Sequence, residues 1–194
     1  MGLSKLAKGW RKGAIKGNAE DQYQLAVCHY KGTEGAKLDK VAAAAWYGKA
    51  AEQEHAGAQC YLGICYGFVD GLEQNLEVAA QWYLRAAELG NAEAQGWLGG
   101  CYALGKGVEQ DDAQAVACWE KGAVQEDAGS QHNLGLCNMH GRHGLPKNAV
   151  RARSFLKAAA AQGRAVQVHS MRGRRFRMYK EAPSFRPAPR ACLQ

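Results

Sequence analysis

The chain has 194 residues, 47% of them apolar, enough to bury a core in one domain or one short repeat array and too many for a chain disordered along most of its length. No run of apolar residues is long enough to span a bilayer, and the opening Met1-Gly2-Leu3-Ser4-Lys5-Leu6-Ala7-Lys8-Gly9-Trp10 lacks the unbroken apolar stretch of an export signal, so an intracellular, cytoplasmic location is expected. The net charge of +7 divides unevenly: residues 1–17 carry five basic and no acidic groups, residues 18–163 carry 12 basic and 17 acidic, and residues 164–194 carry eight basic and one acidic.

Taken in chain order, residues 1–17 read as a lone helix around Trp10, flanked three before and four after by Ala7 and Ala14. A second helix of this kind recurs around Trp46 (Ala43, Ala50), Trp82 (Ala79, Ala86), Trp119 (Val116, Ala123) and Phe155 (Ala152, Ala159), at spacings of 36, 36, 37 and 36 residues. Between them lie first helices in a second frame: Ala19/Gln22/Leu25/Cys28, Ala56/Gln59/Leu62/Cys65, Ala92/Gln95/Leu98/Cys101 and Ala128/Gln131/Leu134/Cys137. Short breaks such as Gly17-Asn18 and Gly90-Asn91, and longer ones such as Gly105-Lys106-Gly107-Val108, supply the left-handed glycine that ends helices.

The pattern predicts an all-α fold, an α/α superhelical solenoid of antiparallel helix pairs, with about four repeats (18–163) preceded by a half-repeat (1–17) that holds a second helix only. That half-repeat is either a cap or the remainder of a longer array. A unit this short cannot bury its apolar stripe alone, so neighbours must stack. Glu54 and Glu126 stand where Gly17, Gly90 and Gly163 end other helices, so those turns need another geometry or carry a cost of up to ~1 kcal/mol. Asn138 in place of Tyr66 and Tyr102, and Phe155 in place of Trp, imply looser packing toward the C-terminal end. After Gly163 the frame lapses. Residues 164–194 are Arg- and Pro-rich and read as a disordered basic tail, or as a diverged or frame-shifted fifth repeat.

The segments Ala92-Glu93-Ala94-Gln95, Leu98-Gly99, Tyr102, Gly105 to Asp111 and Trp119 resemble the Sel-1-like repeat, a relative of the tetratricopeptide repeat, over residues 5–163. The resemblance implies a right-handed superhelix serving as an adaptor or scaffold for other proteins, with first helices lining the concave face. On that face Tyr61, Ile64, Phe68, Trp97 and Leu104 would form an apolar groove for a partner peptide or helix, with Trp97 either lining it or packing between helices. Trp10, Trp46, Trp82, Trp119 and Phe155, with Leu25, Leu62, Leu98 and Leu134, are the expected structural anchors.

Chemistry has little support in the residues. Cys28, Cys65, Cys101 and Cys137 recur at one core position, leaving Cys60 and Cys118 as the array's only extras. The paired framework of cysteine-rich relatives is therefore missing, and with it the penicillin-binding activity of that subfamily. Cys137, His140 and His143, with His132, are the nearest approach to a zinc set, but Cys137 is already a core position and His143 falls in a loop. Gly99-Gly100 lies mid-helix and cradles no phosphate. The repeated Gln22, Gln59, Gln95 and Gln131 read as a ladder bonded to the adjoining turns rather than as ligand contacts. No catalytic residue, metal or cofactor is expected, and the partners are other proteins. Nucleic acid or an anionic membrane, held through the basic ends, is the alternative. A cysteine-rich-repeat hydrolase is a further, weaker one.

Overall fold

The computed structural model describes residues 2–68 and 71–162, so the expectations for the basic tail fall outside the described residues. Among the described residues the chain forms helices α1 (Lys5–Ile15), α2 (Ala19–Lys31), α3 (Lys40–Ala51), α4 (Ala56–Phe68), α5 (Leu76–Glu88), α6 (Ala92–Leu104), α7 (Asp112–Val124), α8 (Ala128–His140) and α9 (Ala149–Ala161), and no strand. Each helix packs on the next, and α6 also touches α8, as neighbouring first helices do when they form the inner row of a curved stack. The architecture is an α/α superhelical repeat.

Local chemistry sets the helix ends. Asn or Asp side chains cap most helices by accepting the backbone N–H three residues on, as Asp39 does from Ala42, Asn75 from Val78, Asp111 from Gln114 and Asn148 from Arg151. Each such cap is worth about 1 kcal/mol. His55 caps α4 instead, its Nδ1 accepting from Ala58 N–H at 3.1 Å while Nε2 faces Glu20 Oε2 of α2 at 2.9 Å. Gly32, Gly105 and Gly141 close α2, α6 and α8 with φ near +65°. At the other turns Glu54 and Glu126 keep the left-handed geometry, at φ +60° and +63°, and so accept the steric cost that glycine avoids.

The Leu-Gly pairs of the first helices have a direct packing reason. A Cβ at Gly63 would lie 2.7 Å from the ring of Tyr83, one at Gly99 2.6 Å from Trp119, and one at Gly135 2.7 Å from Leu156. Each bare glycine is thus the seat of one side chain from the second helix of its own repeat. These seats correct the anchor frame. Trp46, Trp82 and Phe155 stand seven residues after their caps and are half-buried, whereas Trp119 stands eight after Asp111 and is buried. Trp119 is therefore the counterpart of Tyr47, Tyr83 and Leu156, and the small residues buried with it are Ala115 and Gly122 rather than Val116 and Ala123. The 37-residue step from Trp82 to Trp119 concealed this exchange of one aromatic position for the next. Trp10 is half-buried, and Leu25, Leu62, Leu98 and Leu134 are all buried.

The glutamine ladder runs along one end of the stack. Nε2 of Gln22, Gln59 and Gln95 donates to the carbonyls of Ala14, Ala51 and Ala87 in the preceding second helices. From the following turn Gln53 donates to Gln22, Gln125 to Gln95 and Gln162 to Gln131. Leu89 occupies that place in the second repeat, and Gln59 Oε1 is left buried without a partner among the described residues.

Candidate functional site

The spacing of four, three and four that carries Gly57, Tyr61, Ile64 and Phe68 along α4 also carries Glu93, Trp97, Gly100 and Leu104 along α6. The five apolar members occupy three depths. Tyr61 and Ile64 are buried, Phe68 and Trp97 are half-buried, and Leu104 is 37% exposed. Tyr61 stacks on Tyr47 with centroids 5.2 Å apart, and Tyr23 and Tyr30 meet it edge-on at 6.1 and 5.9 Å. It is the floor of an aromatic cluster between α2, α3 and α4. Trp97 stacks on Tyr83 at 6.0 Å and meets Phe68 edge-to-face at 5.7 Å, so it packs between helices. One part of its surface is packing against α4 and α5, and the remainder is accessible beside Leu104. Gly100 separates the two, and a Cβ there would meet nothing within 4 Å.

Charge frames this patch. Burial lowers the Lys31 ammonium from its ordinary value and Glu93 counteracts the fall, while burial, and then Glu93, raises the phenols of Tyr23 and Tyr61. Lys31 at the end of α2 and Glu93 at the start of α6 thus bear on one another across α4. Sequence reasoning gave neither a role: it did not reach Lys31, and it counted Glu93 only as a point on the stripe. Counting the same stripe back by one repeat, to Glu20, Gln24, Val27 and Lys31, would have found the first of them.

The remaining candidates serve packing. Burial pushes the Cys60 thiol up, and those of Cys101 and Cys137 to about 11, so all three are protonated and weakly nucleophilic at neutral pH. Cys28, Cys60, Cys65, Cys101, Cys118 and Cys137 are all free. His143 has its Nδ1 on Asp112 and its ring edge-on to Trp119 at 5.6 Å. That hydrogen bond holds the Asp112 carboxyl below its ordinary value. No group of three or more His, Cys, Asp or Glu side chains among the described residues is arranged to hold a metal ion. On the second helices Lys49 lies over Trp46 at 4.1 Å, Arg85 over Trp82 at 4.8 Å and Arg151 over Phe155 at 6.0 Å, which shields the half-buried rings.

Stacked helix pairs, a glycine seat in α4, α6 and α8 and a glutamine ladder define a helical-repeat solenoid. Its repeats match the Sel1 repeat model at residues 19–55, 56–91, 92–126 and 128–163, and the chain belongs to the Sel1 repeat family. Proteins of this family are generally scaffolds for protein interactions, and the solenoid is typically non-catalytic. A Sel1 repeat protein from Oxalobacter formigenes is 36% identical, with a TM-score of 0.74 over 81% of this chain and 62% of that one. The protective antigen c5321 of uropathogenic Escherichia coli, which displays the same repeat fold, is 31% identical with a TM-score of 0.71, over 81% of this chain and 33% of that one. The chain thus spans less than two thirds of either relative. Helicobacter pylori cysteine rich protein B shares the fold, at 23% identity and a TM-score of 0.53 over 65% of this chain and 92% of that one. No curated protein matches the chain. No helix among the described residues is long and apolar enough to cross a membrane.

Proposed function

We propose that this chain is a protein-binding scaffold whose first-helix face holds an apolar segment, a peptide or a helix, of a partner protein. The observation that carries the reading is the half-buried Phe68–Trp97 pair beside exposed Leu104, with open backbone at Gly100 between tryptophan and leucine. Rigid aromatic rings already fixed by packing lose little entropy on binding, and such anchors dominate interface energies. Tyr61 and Ile64 are buried and belong to the core rather than to the surface that meets the partner.

The test is affinity capture with mass spectrometry at two salt concentrations, comparing the intact chain, a version ending at Gly163, Trp97→Ala and Leu104→Lys. Leu104 is exposed, so Leu104→Lys leaves the fold intact and separates lost binding from lost structure. Partners that survive removal of the tail and high salt but disappear with both substitutions support the groove. Capture that depends on residues 164–194 and collapses with salt assigns binding to the basic end and makes the array a spacer.

A further inference from the structure

Helix α1 differs from the second helices that follow it in what it leaves uncovered. Lys5, Lys8, Arg11 and Lys12 lie on this one helix and Lys16 caps it, with no acidic residue among them. All five are exposed and none makes an ion pair among the described residues. Beside them Leu6, 55% exposed, and half-buried Trp10 line an open notch with Lys5 and Gly9. The floor at Gly9 is bare backbone, since a Cβ there would meet nothing within 4 Å. On α3 and α5 a cation three residues on covers the corresponding ring, Lys49 over Trp46 and Arg85 over Trp82. Gly13 stands at that place in α1. A Cβ at Gly13 would lie 1.7 Å from Asp21 Oδ2, so the carboxylate of α2 fills that place and no side chain from position 13 can cover Trp10.

We propose that α1 is a docking site for an acidic peptide segment of another protein, one that carries an apolar side chain beside its carboxylates. The apolar side chain enters the notch against Leu6 and Trp10, and the carboxylates pair with Lys5, Lys12 and Lys16, which 100° steps place along one edge of the helix. Charge selects the occupant. The chain's own residues 164–194, with eight basic groups and one acidic, carry the wrong sign. An anionic bilayer fits less well, because helices lying in a membrane surface set cations about an outward apolar face, whereas here the cations border the notch on one side and α2 closes the other. This site is separate from the first-helix face, and the failure of either leaves the other standing.

The experiment uses the full chain and a labelled helical peptide of glutamates with one leucine per turn, read by fluorescence anisotropy. Polyglutamate of equal length and phosphatidylserine vesicles are run in parallel. The peptide is expected to bind more tightly than polyglutamate. Leu6→Gln, and separately Lys12→Gln with Lys16→Gln, should each weaken it by about tenfold while thermal melting is unchanged, since these side chains face solvent. Absence of peptide binding, equal binding of polyglutamate, or indifference to Leu6→Gln would reduce the surface to a nonspecific cationic patch and overturn the proposal. Tighter, Leu6-dependent binding to vesicles overturns it in favour of a membrane. Leu6-dependent self-association in sedimentation overturns it in favour of a second copy, whose array has the acidic excess to answer α1.

Discussion

The first two repeats and the last two share one frame and fill it differently. In α2 to α5 the inward aromatic rings of the second helices are Tyr47 and Tyr83, and Tyr47 stacks with Tyr61 inside a cluster that also holds Tyr23 and Tyr30. These side chains belong to a continuous core that reaches from Ala26 to Cys118. In α7 to α9 a smaller cluster forms around Trp119, Leu134 and Cys137, and the last seat takes half-buried Leu156. Asn138 there is buried and donates to the carbonyl of Leu134 instead of presenting an aromatic ring. A repeat frame therefore fixes where helices sit, and the side chain in each seat fixes how strongly they are held. In a one-dimensional stack those strengths add locally.

The largest test of that contrast is to empty the seats. Tyr47→Ala should cost about 3–5 kcal/mol and Leu156→Ala nearer about 2 kcal/mol in chemical denaturation, and equal costs would break the comparison. Filling the glycine should act in the same sense. Gly99→Ala would place a Cβ 2.6 Å from the Trp119 ring and 3.0 Å from the carbonyl of Ala115. It should destabilise by about 1–3 kcal/mol, with the loss visible in the urea midpoint. Smaller effects come from places where one repeat lacks what another has. Leu89→Gln supplies the missing donor to buried Gln59 Oε1 and should add about 1 kcal/mol. Glu126→Gly relieves a left-handed glutamate and should raise stability by about 0.5–1 kcal/mol. A melting temperature that fell in either variant would contradict the reading of that turn.

The helix pairs were legible because the first-helix frame of Ala, Gln, Leu and Cys recurs without a slip, and burial selects those residue types at those spacings. Looser packing at the C-terminal end is an expectation from Asn138 and Phe155 that hydrogen exchange tests. The register of the third second helix was not. Both Trp82 and Trp119 are aromatic, and composition cannot say which of two adjacent positions faces the core. The cap at Asp111 and the seat at Gly99 resolve it, and both are visible only once helix ends are placed. The candidate groove was legible as a stripe, but not the depth of its members. Tyr61 is drawn inward by Tyr47 and Tyr23 from other helices, which spacing within one helix does not reveal. The notch on α1 escaped because it depends on what Gly13 fails to place over Trp10.

The most direct test of graded filling is native-state hydrogen exchange of the full chain, followed by mass spectrometry across α2 to α9. Amides in repeats held by the aromatic core should open only with global unfolding, while α8 and α9 should exchange earlier through local opening. Slow exchange confined to α2 to α6 with a faster C-terminal end is the predicted result. Uniform protection, or an order in which α8 and α9 outlast α3 and α4, would contradict the account.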